Sequence, residues 1–291
     1  MNIEKFKNKK IGVLYGGMSG EREISLKSGA AVLKALKKLR LNVCGIDVDK
    51  NAVQKIQKAK IDAAFIALHG KYGEDGTVQG LLEMLGISYT GCGVLSSAAS
   101  MDKNVSKILF KSAGILTPEW FVLKKFEAAP EKIKYPVAVK PSKQGSAIGV
   151  SIVKAHKDFD KAAKEAFRHD DEIIVERFVK GMEITAGVLN GRALPVVEIV
   201  PKGKFYDFKS KYQKGGSRHI IPARLDEKIY KAVQDAAVKV FKVFNCRGVC
   251  RVDMIADKNG EIWVLENNTV PGMTETSLLP DEAKAAGMSF E

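Results

Sequence analysis

Two short segments near residue 260 gather the residue types that handle metal ions and phosphate: Arg251-Val252-Asp253 and Glu266-Asn267-Asn268. Apolar runs flank Asp257-Lys258-Asn259-Gly260, whose Asn-Gly pair predicts a tight hairpin turn. Side chains alternate faces along a strand, so Arg251 and Asp253 share a face, as do Glu266 and Asn268. With Ala256 opposite Glu261, the register sets Arg251 opposite Glu266 and Asp253 opposite Val264. All four polar side chains then project from one face, and a slip of one residue would scatter them. Two carboxylates and an amide oxygen are hard ligands suited to Mg²⁺, and a guanidinium beside them clamps phosphate. A solvated hairpin face carrying a salt bridge has the same composition, so the choice rests on the rest of the chain.

Further segments carry compatible chemistry. Lys140-Pro141-Ser142-Lys143-Gln144-Gly145-Ser146-Ala147-Ile148-Gly149 combines glycines, which let backbone approach phosphate, with hydroxyl and amide donors. It is not a Walker loop, which ends in Gly-Lys-Ser/Thr before a helix. A strand follows here instead, which suits a flap over phosphates and equally a plain hairpin loop. Glu176-Arg177-Phe178-Val179 meets Lys180-Gly181-Met182-Glu183, a hinge that could hold an adenine ring with a carboxylate for the ribose, or an ordinary linker. Lys103, Lys140, Lys211 and Arg251 could each offset triphosphate charge; an isolated lysine is otherwise a solvated surface group.

The elements that position these residues read as follows. Strands at 10–15, 42–48 and 61–68 alternate with helices at 23–39 and 52–59, which implies a parallel sheet with right-handed crossovers. Loops at the carboxyl ends of such strands are the functional ones. They hold residues 16–23 and the run His69-Gly70-Lys71-Tyr72-Gly73-Glu74-Asp75-Gly76. A small α+β unit follows, with helices at 103–112 and 158–168 and strands at 136–140, 149–153 and 172–178. Strands at 183–189 and 194–200, a helix at 227–244 and the hairpin complete the chain. The fold class is therefore α/β with α+β. Domains are expected at 1–91, 92–184 and 185–291.

The 291 residues carry a net charge of +13. The lysines are spread along helices rather than gathered into an aromatic-studded stripe, which argues against a nucleic-acid partner. No apolar run approaches the ~20 residues that span a bilayer, and the first residues lack a signal-peptide core, so no membrane role is expected. Cys44, Cys92, Cys246 and Cys250 are few and unpatterned, which reads as reduced thiols in a cytoplasmic protein.

In order along the chain, these segments resemble the D-alanine–D-alanine ligases of the ATP-grasp superfamily. The resemblance is carried by residues 16–26 (Gly-Gly-Met-Ser-Gly-Glu-Arg-Glu-Ile-Ser-Leu), by 68–76, and by Met101-Asp102-Lys103. It continues through Lys140-Pro141-Ser142 with Gly145-Ser146, residues 205–212, the hairpin, Pro271-Gly272-Met273-Thr274, and Ser277-Leu278. It covers nearly the whole chain and implies a three-domain ATP-grasp fold whose N-terminal domain is a doubly wound parallel sheet.

The resemblance also implies a reaction. ATP phosphorylates the carboxylate of one D-alanine, and the amine of a second attacks the acyl phosphate. Carried over by position, Asp253, Glu266 and Asn268 would ligate two Mg²⁺ ions, or Mn²⁺. Lys103 and Lys140 would hold the α/β-phosphates and Lys211 the γ-phosphate. Glu176, Arg177, Val179 and Glu183 would surround adenine and ribose. Glu21 would orient the first D-alanine, with His69 nearby. Arg251 and the Gly272 amide would form the oxyanion hole, and Ser277 and Leu278 would receive the second D-alanine. Glu21, Ser146 and Tyr212 would form a triad linking the three domains. Tyr212 favours an amine over a hydroxyl acceptor, and 204–221 reads as a mobile lid. Asn267 and Val270 differ from the family pattern but should face away from the ligands or lie beyond them. Relatives usually continue beyond the position of Glu291 into a last helix, and they commonly form homodimers.

Overall fold

The structure, a computed structural model, describes residues 3–125, 127, 130, 132–201 and 216–291. Three sheets follow one another along the chain. The first contains β1 (Lys10–Gly16), β2 (Asn42–Val48), β3 (Ala63–Ile66) and β4 (Ser88–Tyr89), in the order β2-β1-β3-β4 with every pairing parallel. Helices α1 (Arg22–Lys38), α2 (Ala52–Ala59) and α3 (Thr77–Met84) connect these strands. Helix α1 buries Ile24, Ser25, Ser28, Gly29, Val32 and Ala35. A Cβ at Gly29 would stand 2.4 Å from Cβ of Tyr15 on β1, so only glycine lets helix and strand approach this closely.

Helices α4 (Val94–Met101) and α5 (Lys103–Ser112) come next, and the Asp102 side chain caps α5 by accepting from the Val105 amide at 3.0 Å. The second sheet is antiparallel, in the order β5-β8-β6-β7: β5 (Trp120–Lys124), β6 (Val137–Pro141), β7 (Ser151–Val153) and β8 (Glu172–Arg177), with α6 (Phe159–Ala166) behind it. The third sheet runs β12-β11-β9-β13-β14, with β10 on β9. Its strands are β9 (Gly181–Leu189), β10 (Arg192–Ala193), β11 (Val197–Pro201), β12 (Ser217–Ile220), β13 (Val249–Asp257) and β14 (Ile262–Asn268). It is flanked by α7 (Glu227–Val243) and followed by α8 (Leu278–Ala285). Among the described residues no helix is long and apolar enough to cross a membrane.

The hairpin register differs from the sequence expectation. The Asp257 side chain accepts from the amides of Asn259 (2.8 Å) and Glu261 (3.0 Å), which draws Glu261 into the turn. Ala256 therefore faces Ile262 rather than Glu261. Continued unbroken, that register would put Leu265 opposite Asp253 and turn Glu266 and Asn268 to the far face. A bulge beside Asp253 and Met254 leaves Leu265 unmatched, so Asp253 pairs with Glu266 and Arg251 with Asn268. The expected pairings of Arg251 with Glu266 and of Asp253 with Val264 are replaced, yet the four side chains still share one face.

The largest core cluster joins Ala99 of α4 and Phe110 of α5 to Val233, Ala237 and Val240 of α7 and to Ile184, Val252 and Met254 of the third sheet. Phe110 meets Phe244 at a ring-centroid distance of 5.2 Å. Helices α4 and α5 thus serve the core of the third sheet although they precede the second in the chain. Phe110→Ala should cost about 3–5 kcal/mol in urea denaturation, from lost burial and the cavity left behind. A cost below about 1 kcal/mol would mean that α5 does not anchor this core.

Candidate active site

The polar face of the hairpin is tightly bonded. Arg251 donates from Nε to Oδ1 of Asp253 at 2.9 Å and from Nη2 to Oδ2 at 2.8 Å. Thr185 on β9, opposite Asp253 in register, donates its hydroxyl to Oδ1 at 2.6 Å. Asn268 Oδ1 accepts the Val270 amide at 3.0 Å. Asn267 points the other way, donating to Ser100 Oγ at 2.8 Å, and Val270 packs into the core of the first sheet. Both side chains therefore point away from Asp253 and Asn268, although Asn267 still borders the small cavity that Glu21 and Ser277 line.

Lys103, at the start of α5, lies 3.7 Å from Glu266 Oε2 and donates to the Gln144 carbonyl at 2.6 Å. The glycine-containing loop is thereby drawn toward the hairpin. Its next residues close on the first sheet: Ser146 donates its hydroxyl to Glu21 Oε1, and a Cβ at Gly145 would stand 2.8 Å from Glu21 Oε2. Ser146 and Ala147 both have positive φ (55° and 57°), a backbone cost that this close approach imposes. Glu21 ends the loop after β1, where a parallel sheet presents its functional residues. Lys211 and Tyr212 lie outside the described residues, as does most of the expected lid. The far end of that segment is not lid: Ser217–Ile220 forms β12, paired with β11.

His69, after β3, is buried, with Nδ1 3.2 Å from Glu74 Oε1 and Nε2 3.1 Å from Ser28 Oγ. Ser28 also accepts the Met273 amide at 3.2 Å, so this chain of contacts ties the first sheet to the 271–278 loop. In that loop Ser277 Oγ accepts the Thr274 amide at 2.9 Å. A Cβ at Gly272 would stand 2.9 Å from Ser277 Oγ, so a side chain there would displace the Ser277 hydroxyl.

Two hollows meet here. A small cavity is lined by Glu21, His69 and Ser146, by Arg251 and Asn268, and by Gly272, Ser277 and Leu278. A cleft of about 1040 Å³ runs between the second and third sheets, lined by Lys140, Glu176, Arg177, Val179, Glu183 and Asp253. Lys103 and Glu266 line both. Every described residue expected at the site therefore borders one hollow or the other.

The Glu176 carboxylate is held between Lys107 Nζ at 2.7 Å and Lys140 Nζ at 2.5 Å. Burial alone would raise this carboxyl, but the two ammoniums overturn that and hold it at about 2. Arg177 stacks its guanidinium on Trp263, 4.3 Å from the ring centroid. Glu282 on α8 is the opposite case. It is fully buried, neither oxygen has a hydrogen-bond partner among the described residues, and Oε2 abuts Gly187. Burial, against the field of Arg251, pushes its carboxyl up to about 8.

Sequence reasoning missed Ser28, Glu74, Lys107, Thr185 and Glu282. Glu74 was legible, five residues after His69 in the same glycine-rich run. Lys107 was legible as the i+4 neighbour of Lys103 on a helix. Ser28, Thr185 and Glu282 belong to common residue types at positions that only packing singles out.

Family models for the N-terminus (residues 10–55 and 50–92) and the C-terminus (109–291) of D-ala D-ala ligase match this chain. A D-alanine–D-alanine ligase of Citrifermentans bemidjiense is 48% identical over 100% of this chain and 95% of its own length. The chain belongs to the D-alanine–D-alanine ligase family. Solved structures agree with this membership. The Bacillus anthracis D-alanine–D-alanine ligase, complexed with ATP, has a TM-score of 0.86 at 36% identity, covering 97% of this chain and 93% of that one. The D-Ala:D-Ser ligase VanG of Enterococcus faecalis has a TM-score of 0.81 at 33% identity, covering 97% and 96%. The fold of this ligase-family chain is thus the ATP-grasp fold that its motifs implied.

Deleting Leu265 removes the unmatched residue and leaves Glu266 opposite Asp253 and Asn268 opposite Arg251 in an unbroken ladder, so ligase turnover should stay within about ten-fold of the parent. A loss of about 100-fold or more would mean that the bulge itself, beyond the pairing it permits, holds the site. Glu282 adds a pH dependence. Its folded pKa, about 8, lies above the ordinary 4.5, so its contribution is fully present below pH 4.5 and is lost as pH rises through 8. Glu282→Gln should therefore gain thermal stability relative to the parent between pH 5 and pH 8, and a constant difference in Tm would contradict a buried protonated carboxyl.

Proposed function

We propose that this chain joins two D-alanine molecules into D-alanyl-D-alanine, with ATP converted to ADP and phosphate, for peptidoglycan precursor synthesis. The observation that carries the reading is that Lys103 and Glu266 border both the nucleotide-sized cleft and the small polar cavity. A γ-phosphoryl group at that junction can meet a carboxylate held in the cavity.

A free carboxylate is a poor electrophile, so it must be activated. An oxygen of the first D-alanine carboxylate attacks the γ-phosphorus, and the bond to ADP breaks. The amine of the second D-alanine then adds to the acyl carbon. The tetrahedral intermediate expels phosphate and the amine loses its proton. Glu21, with Ser146 donating to it, offers a carboxylate for the ammonium of the first D-alanine, and His69, held by Glu74 and Ser28, borders the same cavity. Ser277 and Leu278 at the start of α8 receive the second D-alanine, the Ser277 hydroxyl serving its carboxylate. Arg251 and the Gly272 amide stabilise the tetrahedral oxyanion.

On the nucleotide side, Lys103 and Lys140 hold the α/β-phosphates, and Val179, Glu183, Glu176 and Arg177 enclose adenine and ribose. Two carboxylates and an amide oxygen on facing strands are hard donors, and they fit Mg²⁺ or Mn²⁺ with phosphate oxygens completing the shell. Asp253, Glu266 and Asn268 would hold two such ions, which when bound neutralise and orient the transferring phosphoryl group. Lys211 completes the γ-phosphate contacts, and Tyr212 closes the triad with Glu21 and Ser146. The three-domain division, a homodimer and a cytoplasmic location, where ATP is supplied, belong to the same proposal.

Asp253→Asn should lower kcat by about 100-fold or more, measured as ADP release, and unchanged turnover would remove the cation assignment. Supplying D-alanine alone should yield dipeptide. No product until D-serine or D-lactate is added would overturn the assigned acceptor and favour the chemistry of the D-Ala:D-Ser relative.

A further inference from the structure

Lys107 is a fully buried lysine that borders neither hollow. Its ammonium donates to Thr117 Oγ1 at 2.9 Å and to the Pro118 carbonyl at 3.2 Å, and it forms an ion pair with Glu176 Oε2 at 2.7 Å. Its Nζ also lies 5.4 Å from the Trp120 ring centroid. Thr117 donates onward to the Val264 carbonyl at 2.8 Å, which ties the group to β14. The other Glu176 oxygen, Oε1, meets Lys140 Nζ at 2.5 Å, and Lys140 does line the cleft.

Desolvating an ammonium this completely is expensive, and an apolar side chain of similar volume would often stabilise the fold better. The cluster has a charge logic that explains its cation. One carboxylate between two ammoniums leaves a net single positive charge, and only Lys140 exposes it to the cleft. Without Lys107, Lys140 and Glu176 would form a neutral pair with little attraction left for an anion. We infer that Lys107 is a positioning residue for nucleotide binding: by engaging one oxygen of Glu176, it leaves the Lys140 ammonium net-positive and fixed toward the phosphates. This rests on the proposed nucleotide reading of the cleft.

The test uses the full chain and calorimetric titration with ADP and with adenosine, which lacks phosphate. Lys107→Met should weaken ADP binding by about ten-fold or more and leave adenosine within about three-fold. Adding Glu176→Gln removes the carboxylate that neutralises Lys140; because Glu176 itself borders the nucleotide cleft, the double variant is read as the ratio of ADP to adenosine affinity, which should return to within about three-fold of the parent ratio. Should Lys107→Met not fold, Lys107→Gln keeps a donor toward Thr117 and Pro118, loses the charge and carries the same expectation. Equal losses for ADP and adenosine, or no recovery in the double variant, would reduce Lys107 to a packing role and overturn the inference. Lys140→Met separates the two levels. If it binds ADP as the parent does, the phosphate assignment itself fails. If it weakens ADP while Lys107→Met does not, only the role of Lys107 fails.

Discussion

Strand side chains alternate strictly, so one unmatched residue decides which face of β14 looks into the site. Leu265 is that residue. The turn, widened by the Asp257 side chain, shifts β14 by one place, and the bulge shifts it by one more. Two odd displacements restore even parity, and Glu266 and Asn268 come to face Asp253 and Arg251. The surrounding structure depends on this parity. Asn267 can reach Ser100 on α4 only because its neighbours turn the other way, and Lys103 at the head of α5 then finds Glu266 within 3.7 Å. The helices of residues 94–112 are thereby fastened to the hairpin from both sides, by packing on one face and by charge on the other.

Three cations proposed for substrate are also paired with a carboxylate of the protein: Arg251 with Asp253, Lys103 with Glu266, Lys140 with Glu176. Buried charge is tolerated only when paired. Under the proposed function, a triphosphate accompanied by divalent cations would bring both signs and so replace each partner in kind: phosphate oxygens for the carboxylates, metal ions for the ammonium and guanidinium groups. Arg251 would then leave Asp253 for the oxyanion without stranding either charge. Lys140 is the exception, because Glu176 is held by Lys107 as well and keeps its place.

The parts legible in the sequence were those with local signals. The parallel sheet, α1, α2, α5 and α7 follow from hydrophobic period, and their bounds agree with the structure to within a residue or two. The candidate site residues were legible as types at motif spacing. What escaped was set by tertiary packing. Helix α4 is built of small residues, Val-Leu-Ser-Ser-Ala-Ala-Ser-Met, without a clear apolar stripe, and its place comes from β14. Strand β12 sits in a polar stretch that read as lid, and it is a strand because β11 offers it an edge. The hairpin register was off because the alternation pattern cannot see that an aspartate side chain widens a turn or that a leucine is skipped.

That error and its harmless outcome show how the site is specified. Alternation in the sequence encodes which residues share a face, whereas the register is encoded by the turn and the bulge. The expected and observed pairings opposite Asp253 differ by two residues, Val264 against Glu266. An even difference leaves the faces of Glu266 and Asn268 intact while it moves them along the strand, whereas Val264, before the bulge, is displaced by one place and turns to the core beside Met254. The face was therefore readable from spacing alone, and the depth of the carboxylate in the cleft was not. Depth is what brings Glu266 level with Asp253 and within reach of Lys103, where the cleft and the small cavity meet.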